Sequence, residues 1–213
     1  MILSVGLIDY GMGNLHSVQQ AFKRLNQSIK IVKHPNDLNN CDALILPGVG
    51  SFDPAIENLT NTGLIPYIKQ WVEEGKPLLG ICLGLQLLFE SSDEGSKKGL
   101  GLLKGHVKVL PQNQNQRIPH MGWSELKKAK DCPLFKESEK PYWMYFVHSY
   151  AAITSNQNDL AASVPFGDVN ITAVVWSKRL GACQFHPEKS GKSGQKMLFN
   201  WLEWIKRNYI KSN

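Results

Sequence analysis

The chain has 213 residues, 42% hydrophobic and 20% charged, with a formal net charge of +6. That balance excludes a disordered or fibrous chain, and the length suits one domain, expected over residues 1–213, with a sizeable core. No apolar run reaches the roughly 18 residues a membrane helix needs, so no span is expected.

The opening stretch, MILSVGLIDYGMGN, lacks a basic leader, and Asp9 interrupts its apolar run early. It reads as a buried strand rather than an export signal. Next, GNLHSVQQAFKRL puts Leu15, Val18, Phe22 and Leu25 on one helical face, with Asn14 as the N-cap. SIKIV and DALILPG read as the second and third strands. GLIPYIKQWVEEG reads as a helix with Ile65, Ile68 and Val72 inward and Gly75 as its stop. KPLLGI is a fourth strand, running into a helix through GLQLLFE. Strands alternating with helices predict an α/β fold with a central, mostly parallel sheet covered on both faces.

The character changes after Ser91. SSDEGSKKGLG is a polar, glycine-bearing loop. Beyond it GHVKVL, YWMYFVHSYAAI, LAASV, ITAVVWS and GACQFH read as strands, antiparallel or mixed, added to the parallel core. QNQNQ, Gln112 to Gln116, reads as a loop tip. A last helix, Gln195 to about Arg207, should bury Met197, Leu198, Trp201, Leu202 and Ile205.

Cys41, Cys82, Cys132 and Cys183 lie far apart with no C-x-x-C spacing. They predict free thiols in a reducing, cytoplasmic setting, with neither a zinc site nor a disulfide framework. No cofactor motif is present, and none is expected. The small basic clusters Lys97–Lys98 and Lys127–Lys128 read as solvated surface, and no nucleic-acid motif accompanies them.

Cys82 stands in GICLG, a nucleophile flanked by glycines where a strand meets a helix. A sharp turn there pushes the side chain out at the carboxyl end of the sheet and crowds the positions two residues away, where Gly80 and Gly84 have no side chain. The following helix points its N-terminus at the sulfur, favouring thiolate. The N–H of Leu83 is left to face an oxyanion. The competing reading is a core cysteine with two packing glycines.

A cysteine nucleophile needs a base. Of His16, His34, His106, His120, His148 and His186, only His186 has a carboxylate at a useful offset, Glu188. In an extended segment residues i and i+2 project to one side, so Glu188 can hold one imidazole nitrogen and leave the other for the thiol proton. A second oxyanion donor is expected from LPGVGSF, where Gly48 and Gly50 let a backbone N–H swing toward the site. An ordinary turn is the alternative there.

PGVGSF, GICLGLQ, PHMGWS, YFVHSY and QFHPEKSG occur here in one order and spacing. Together they resemble class I, triad-type glutamine amidotransferases, and within them the glutaminase subunits of imidazole glycerol phosphate synthases in histidine biosynthesis. The resemblance covers nearly the whole chain. It implies a three-layer fold in which Cys82 attacks the amide carbon of glutamine, His186 moves the proton and Glu188 orients His186. Leu83 and a backbone N–H near Val49 or Gly50 would hold the oxyanion, and Gly48 and Gln86 would meet the substrate. The implied partner is a (β/α)8-barrel cyclase subunit that receives the ammonia. Pro119, His120, Met121, Trp123, Tyr145 and Lys189 would lie near that contact. Ser124, where Asn is usual, and Ala182–Cys183 depart from the pattern without touching the triad. A paralogue serving another synthase, a non-catalytic binding module and a cysteine peptidase are the alternatives.

Overall fold

Residues 3–112, 116–136 and 141–210 are described by the structure, a computed structural model. The QNQNQ segment therefore lies largely outside the described residues. Four short strands, β1 (Val5–Ile8), β2 (Ile29–Val32), β3 (Ala43–Leu46) and β4 (Leu78–Ile81), pair in parallel in the order β2-β1-β3-β4. Every residue of β1, β3 and β4 is buried, because helices cover both faces. The strands are joined by α1 (Leu15–Lys23), α2 (Phe52–Asn61) and α3 (Ile65–Glu73), and β4 runs through Cys82 into α4 (Leu83–Leu87).

The alternation of side chains sorts the core into two halves. Val5, Leu7, Ala43, Ile45, Leu79 and Ile81 face Val18 and Phe22 of α1 and Met197, Leu198, Trp201 and Leu202 of the final helix, α5 (Gly191–Ile210). On the opposite side Ile8, Leu44, Leu46 and Leu78 face Phe52, Ile56 and Leu59 of α2, Ile68 and Trp71 of α3, and the apolar residues of α4. The five predicted α5 core residues, Met197, Leu198, Trp201, Leu202 and Ile205, are all buried. Asn14 caps α1 by accepting from the Ser17 N–H at 3.1 Å.

Four features differ from the sequence expectation. First, α2 was not anticipated, although Ser51 precedes it and Phe52, Ala55, Ile56 and Leu59 sit at helical spacing; the Pro-Gly turn ahead of it masks that signal. Second, α4 has only five residues, about a turn and a half. So short a helix adds little dipole to the sulfur. Third, α5 begins four residues before the expected Gln195. Fourth, YWMYFVHSYAAI is two strands in two sheets. β9 (Trp143–His148) pairs antiparallel with β7 (His120–Glu125), and β10 (Tyr150–Thr154) pairs with β6 (Gly105–Val109), which also holds β5 (Ser91–Ser92).

The rest of the second half extends the main sheet. β13 (Leu180–Cys183) joins β4 in parallel, and β12 (Val169–Ser177), β11 (Leu160–Phe166) and β8 (Lys127–Lys128) follow antiparallel. The expected mixture of a parallel core with antiparallel additions therefore holds. Of the basic clusters, Lys97 pairs with Glu57 at 3.0 Å and Lys128 pairs with Asp131.

Candidate active site

β4 and β13 are neighbours, and this pairing assembles the site. Residues 80–82 and 183–186 are about a hundred positions apart in sequence, yet the Cys82 N–H donates to the Cys183 carbonyl at 2.8 Å. Both strands end at the same sheet edge. Cys82 leaves its strand with φ 55° and ψ −111°, a left-handed conformation that a side-chain-bearing residue rarely adopts. Strain of this kind costs about 1–3 kcal/mol and persists where the surroundings over-determine it. Here they do. A Cβ on Gly84 would sit 1.9 Å from the Leu46 carbonyl oxygen, and one on Gly48 would sit 2.8 Å from the Gly84 nitrogen. The strand, the elbow and the Pro47–Gly48 turn pack backbone against backbone, leaving no room for methyl groups.

His186 follows β13 and lines the same cavity as Cys82, its ring close enough to interact with the sulfur. Its Nδ1 lies 2.7 Å from Glu188 Oε1, and both side chains are within a few percent of full burial. The pair forms differently from the expected extended alternation. Pro187–Lys189 is a single 3-10 turn with His186 at its N-terminal boundary, so Glu188 curls back under the ring. Burial opposes a charge on His186. The hydrogen bonds and charges of Cys82 and Glu188 outweigh it and push the imidazole up to about 10. A protonated His186 beside the sulfur holds a proton that it can give to a leaving group.

Cys82 and His186 open into a cavity of about 390 Å³, also lined by Val49, Gly50, Leu83, Gln86, Glu94, Pro119, Lys189 and the Val147–Tyr150 segment. A larger cavity of about 680 Å³ lies between β6, β10, β11 and β12. Its lining has no Cys, His, Asp or Glu, so the chemistry belongs to the smaller one. As the first residue of α4, Leu83 has an N–H with no intrahelical acceptor. The Val49 N–H is engaged elsewhere: it donates to the Met12 carbonyl at 3.4 Å, long for such a bond. Gly50, at φ +100°, holds a conformation glycine tolerates best. Gly48 is a packing residue beneath the turn rather than part of the cavity lining.

Gln86 donates its side-chain N–H groups to the Tyr150 carbonyl at 3.0 Å and to Gln184 Oε1 at 3.1 Å. What it has left to offer a ligand is its carbonyl oxygen. Glu94, part of a stretch read only as a polar loop, reaches this cavity and accepts from the Phe52 N–H at 2.9 Å. Burial raises its carboxyl above the usual range, against that bond. A lone acid in a polar loop carries no local signal, which is why sequence reasoning passed over it.

The ribbon of β7 and β9 divides the expected partner residues. Met121 and Trp123 point outward, 63% and 52% exposed, and Trp123 packs edge-on against Tyr145 at 5.9 Å. Lys189 is exposed and Pro119 lines the cavity. His120 differs from the expectation: alternation turns it inward, where it stacks on Phe146 and its Nδ1 meets His148 Nε2 at 3.1 Å. Ser124, one of the departures, sits on the same inner side, 3.0 Å from His120 Nε2. Burial lowers His120 and takes His148 down to about 3, so both rings stay neutral.

A family model described as glutamine amidotransferase class-I matches residues 6–204. Imidazole glycerol phosphate synthase subunit HisH from one strain of Prochlorococcus marinus is 71% identical over 97% of both chains. Its namesake in Synechococcus sp. strain CC9605 is 59% identical, again over 97% of both. Among solved structures, PurLQS from Thermotoga maritima superposes with a TM-score of 0.76 at 20% identity, covering 96% of this chain and all of the other. A glutamine amidotransferase gives a TM-score of 0.74 at 22% identity, over 95% of this chain and 98% of its own. These two likenesses bear on the fold.

Proposed function

The chain belongs to the class I glutamine amidotransferase family, and from that premise we propose that it is the glutaminase subunit of an imidazole glycerol phosphate synthase, acting in histidine biosynthesis. Residues 1–213 form one amidotransferase domain in this reading. The observation that carries it is a strained Cys82 lining one cavity with His186, which Glu188 holds at 2.7 Å.

In the proposed reaction Cys82 Sγ attacks the side-chain amide carbon of glutamine. The carbonyl oxygen takes the negative charge, and the Leu83 N–H faces it. His186 gives its proton to the departing nitrogen, releasing ammonia and leaving a glutamyl thioester. Water then attacks the thioester carbon while His186 takes a proton from it. The thiolate leaves, and glutamate is released. Glu188 holds the ring through both steps. Glu94 and the Gln86 oxygen are acceptors suited to the α-ammonium group of an amino acid.

The second oxyanion donor comes from Gly50, or from Val49 once its N–H leaves Met12. A bond of 3.4 Å is weak enough to exchange. That gives the partner a handle: docking which frees this N–H would raise the hydrolysis rate, so glutamine is not wasted in isolation. Ammonia is protonated in water near neutral pH and ceases to be a nucleophile, so it needs a dry route. Pro119, Val147 and Lys189 line the same cavity, next to the outward aromatic face of the ribbon. We read that face as the docking surface for a (β/α)8-barrel cyclase subunit, in the cytoplasm.

The test is glutamine hydrolysis measured with and without the cyclase and its nucleotide ligand. Stimulation of at least about tenfold is expected, the size of one hydrogen bond to a charged oxyanion. A subunit equally fast alone would overturn the coupling. Cys82→Ala should lower hydrolysis by about 10⁴-fold or more while melting and partner binding persist. Retained hydrolysis in that variant would end the triad assignment.

A further inference from the structure

Gln184 is absent from the triad and from the cavity lining, yet it is a fully buried amide beside the nucleophile. Its backbone N–H donates to the Ala173 carbonyl at 2.9 Å, which fixes its place after β13. The side-chain Nε2 lies 3.8 Å from Cys82 Sγ, within hydrogen-bond range for sulfur, and Oε1 lies 3.1 Å from Gln86 Nε2.

Which end of each amide faces which neighbour follows from one group that cannot change its role. A backbone carbonyl only accepts. The Tyr150 carbonyl is 3.0 Å from the Gln86 amide, so the nitrogen end of Gln86 must face it. The same nitrogen end then faces Gln184, so Gln184 must present its oxygen there. The nitrogen of Gln184 is left facing the sulfur. A reversed Gln184 would bring two nitrogen ends together at Gln86 and an oxygen against Cys82. His148 Nδ1 also donates to the Tyr150 carbonyl, at 2.8 Å, which anchors that group from a second side.

We infer that Gln184 is a positioning residue for the nucleophile: its amide N–H supports negative charge on Cys82 Sγ, and Gln86, held by the Tyr150 carbonyl, sets the direction of that amide. The inference rests on the glutaminase reading above and deepens it. A neutral donor serves here because it favours the charged sulfur without competing with His186 for Glu188. The donor is buried, where hydrogen bonds to charge are strong and a lost one is costly. Gln86 thereby has two duties. It offers its oxygen to the cavity and steers the donor behind the sulfur.

The experiment reads the sulfur directly. Iodoacetamide labelling of Cys82 is followed by peptide mass in the whole protein, without glutamine or partner. The other thiols are poor competitors: burial raises Cys41, takes Cys132 to about 11 and holds Cys183 protonated. Gln184→Met keeps the side-chain length and removes the donor. It should slow Cys82 labelling at pH 7 by about tenfold, with the gap narrowing as pH rises. kcat for glutamine should fall comparably, with KM within about twofold. Labelling at the wild-type rate would overturn the inference. If Gln184→Met fails to fold, Gln86→Met decides. It leaves the Gln184 amide in place but unsteered, and should slow labelling several-fold; an unchanged rate there sinks the idea equally. Slowed labelling in a protein that never hydrolyses glutamine would keep the inference and remove the glutaminase reading. Unchanged labelling in an active glutaminase would do the reverse.

Discussion

The elbow at Cys82 and the ribbon of β7 and β9 lie on the same cavity but are built in opposite ways. At the elbow Gly80 to Gly84, Leu46 and Gly48 are buried, and backbone approaches backbone so closely that glycine is required at 48 and 84. Among the described residues the ribbon has two strands. Its inner side carries His120, Phe146 and His148 in ring contact, while its outer side leaves Met121, Trp123 and Trp143 to solvent. A rigid elbow keeps a strained nucleophile in place. An apolar outer face on an otherwise thin ribbon is what a partner can cover. The contrast implies that changes at the elbow strike folding and chemistry together, whereas changes on the outer ribbon strike association.

Gly84→Ala presses hardest on this contrast. The added methyl would lie 1.9 Å from the Leu46 carbonyl oxygen, and backbone cannot yield as a flexible side chain does. A loss above about 3 kcal/mol of stability is expected in denaturant unfolding. A variant with wild-type stability would show that the elbow is looser than its geometry. On the ribbon, Trp123→Ala should cost about 2 kcal/mol of affinity for the cyclase, near thirtyfold in Kd by calorimetry, with melting shifted by no more than about 2 °C. Unchanged affinity would move the docking surface elsewhere.

The third test concerns the ribbon's inner side. His148 falls to about 3 in the fold because burial excludes its charge, and the neighbouring His120 and His186 add to this against the Tyr150 carbonyl. An unfolded histidine titrates near 6.5. Between these values the unfolded chain binds more protons, so stability rises with pH and is lost on acidification. From pH 7 to pH 5 the loss should be about 2 kcal/mol from His148 alone. His186 is raised instead, so its contribution is complete only well below about 6.5 and declines as pH rises; it offsets part of the slope near pH 7 and leaves the pH 5 to 6 part to His148. Urea unfolding across that range should show the slope, and His148→Gln should flatten it. An equally steep slope in the variant would mean that the inner imidazoles are not excluded from charge.

Much of the site was legible because its parts are local. GICLG describes a turn, and the structure makes it one, with Cys82 at φ 55°. His186 and Glu188 were paired by their offset and are paired in the fold, though a 3-10 turn brings them together. The apolar stripes of α1, α3 and α5 mark the faces that pack. The ribbon was less legible. Alternation could say that His120 and Trp123 point to opposite sides, but not which side is inside, since that depends on what covers the strand.

The order of residues was enough for the alternating strands and helices, the nucleophile turn and the histidine with its carboxylate, because each depends on residues within a few positions of one another. Only in three dimensions does β13 lie beside β4 and so bring His186 and Gln184 to Cys82. The same packing placed Glu94 in the cavity, gave the Val49 N–H to Met12 and put Ser124 behind His120. The first two are contacts between segments far apart in the chain, and the third depends on which side of the ribbon is covered. All are set by how whole strands and loops pack and which polar groups must find partners once buried, and no short window of residues carries that information.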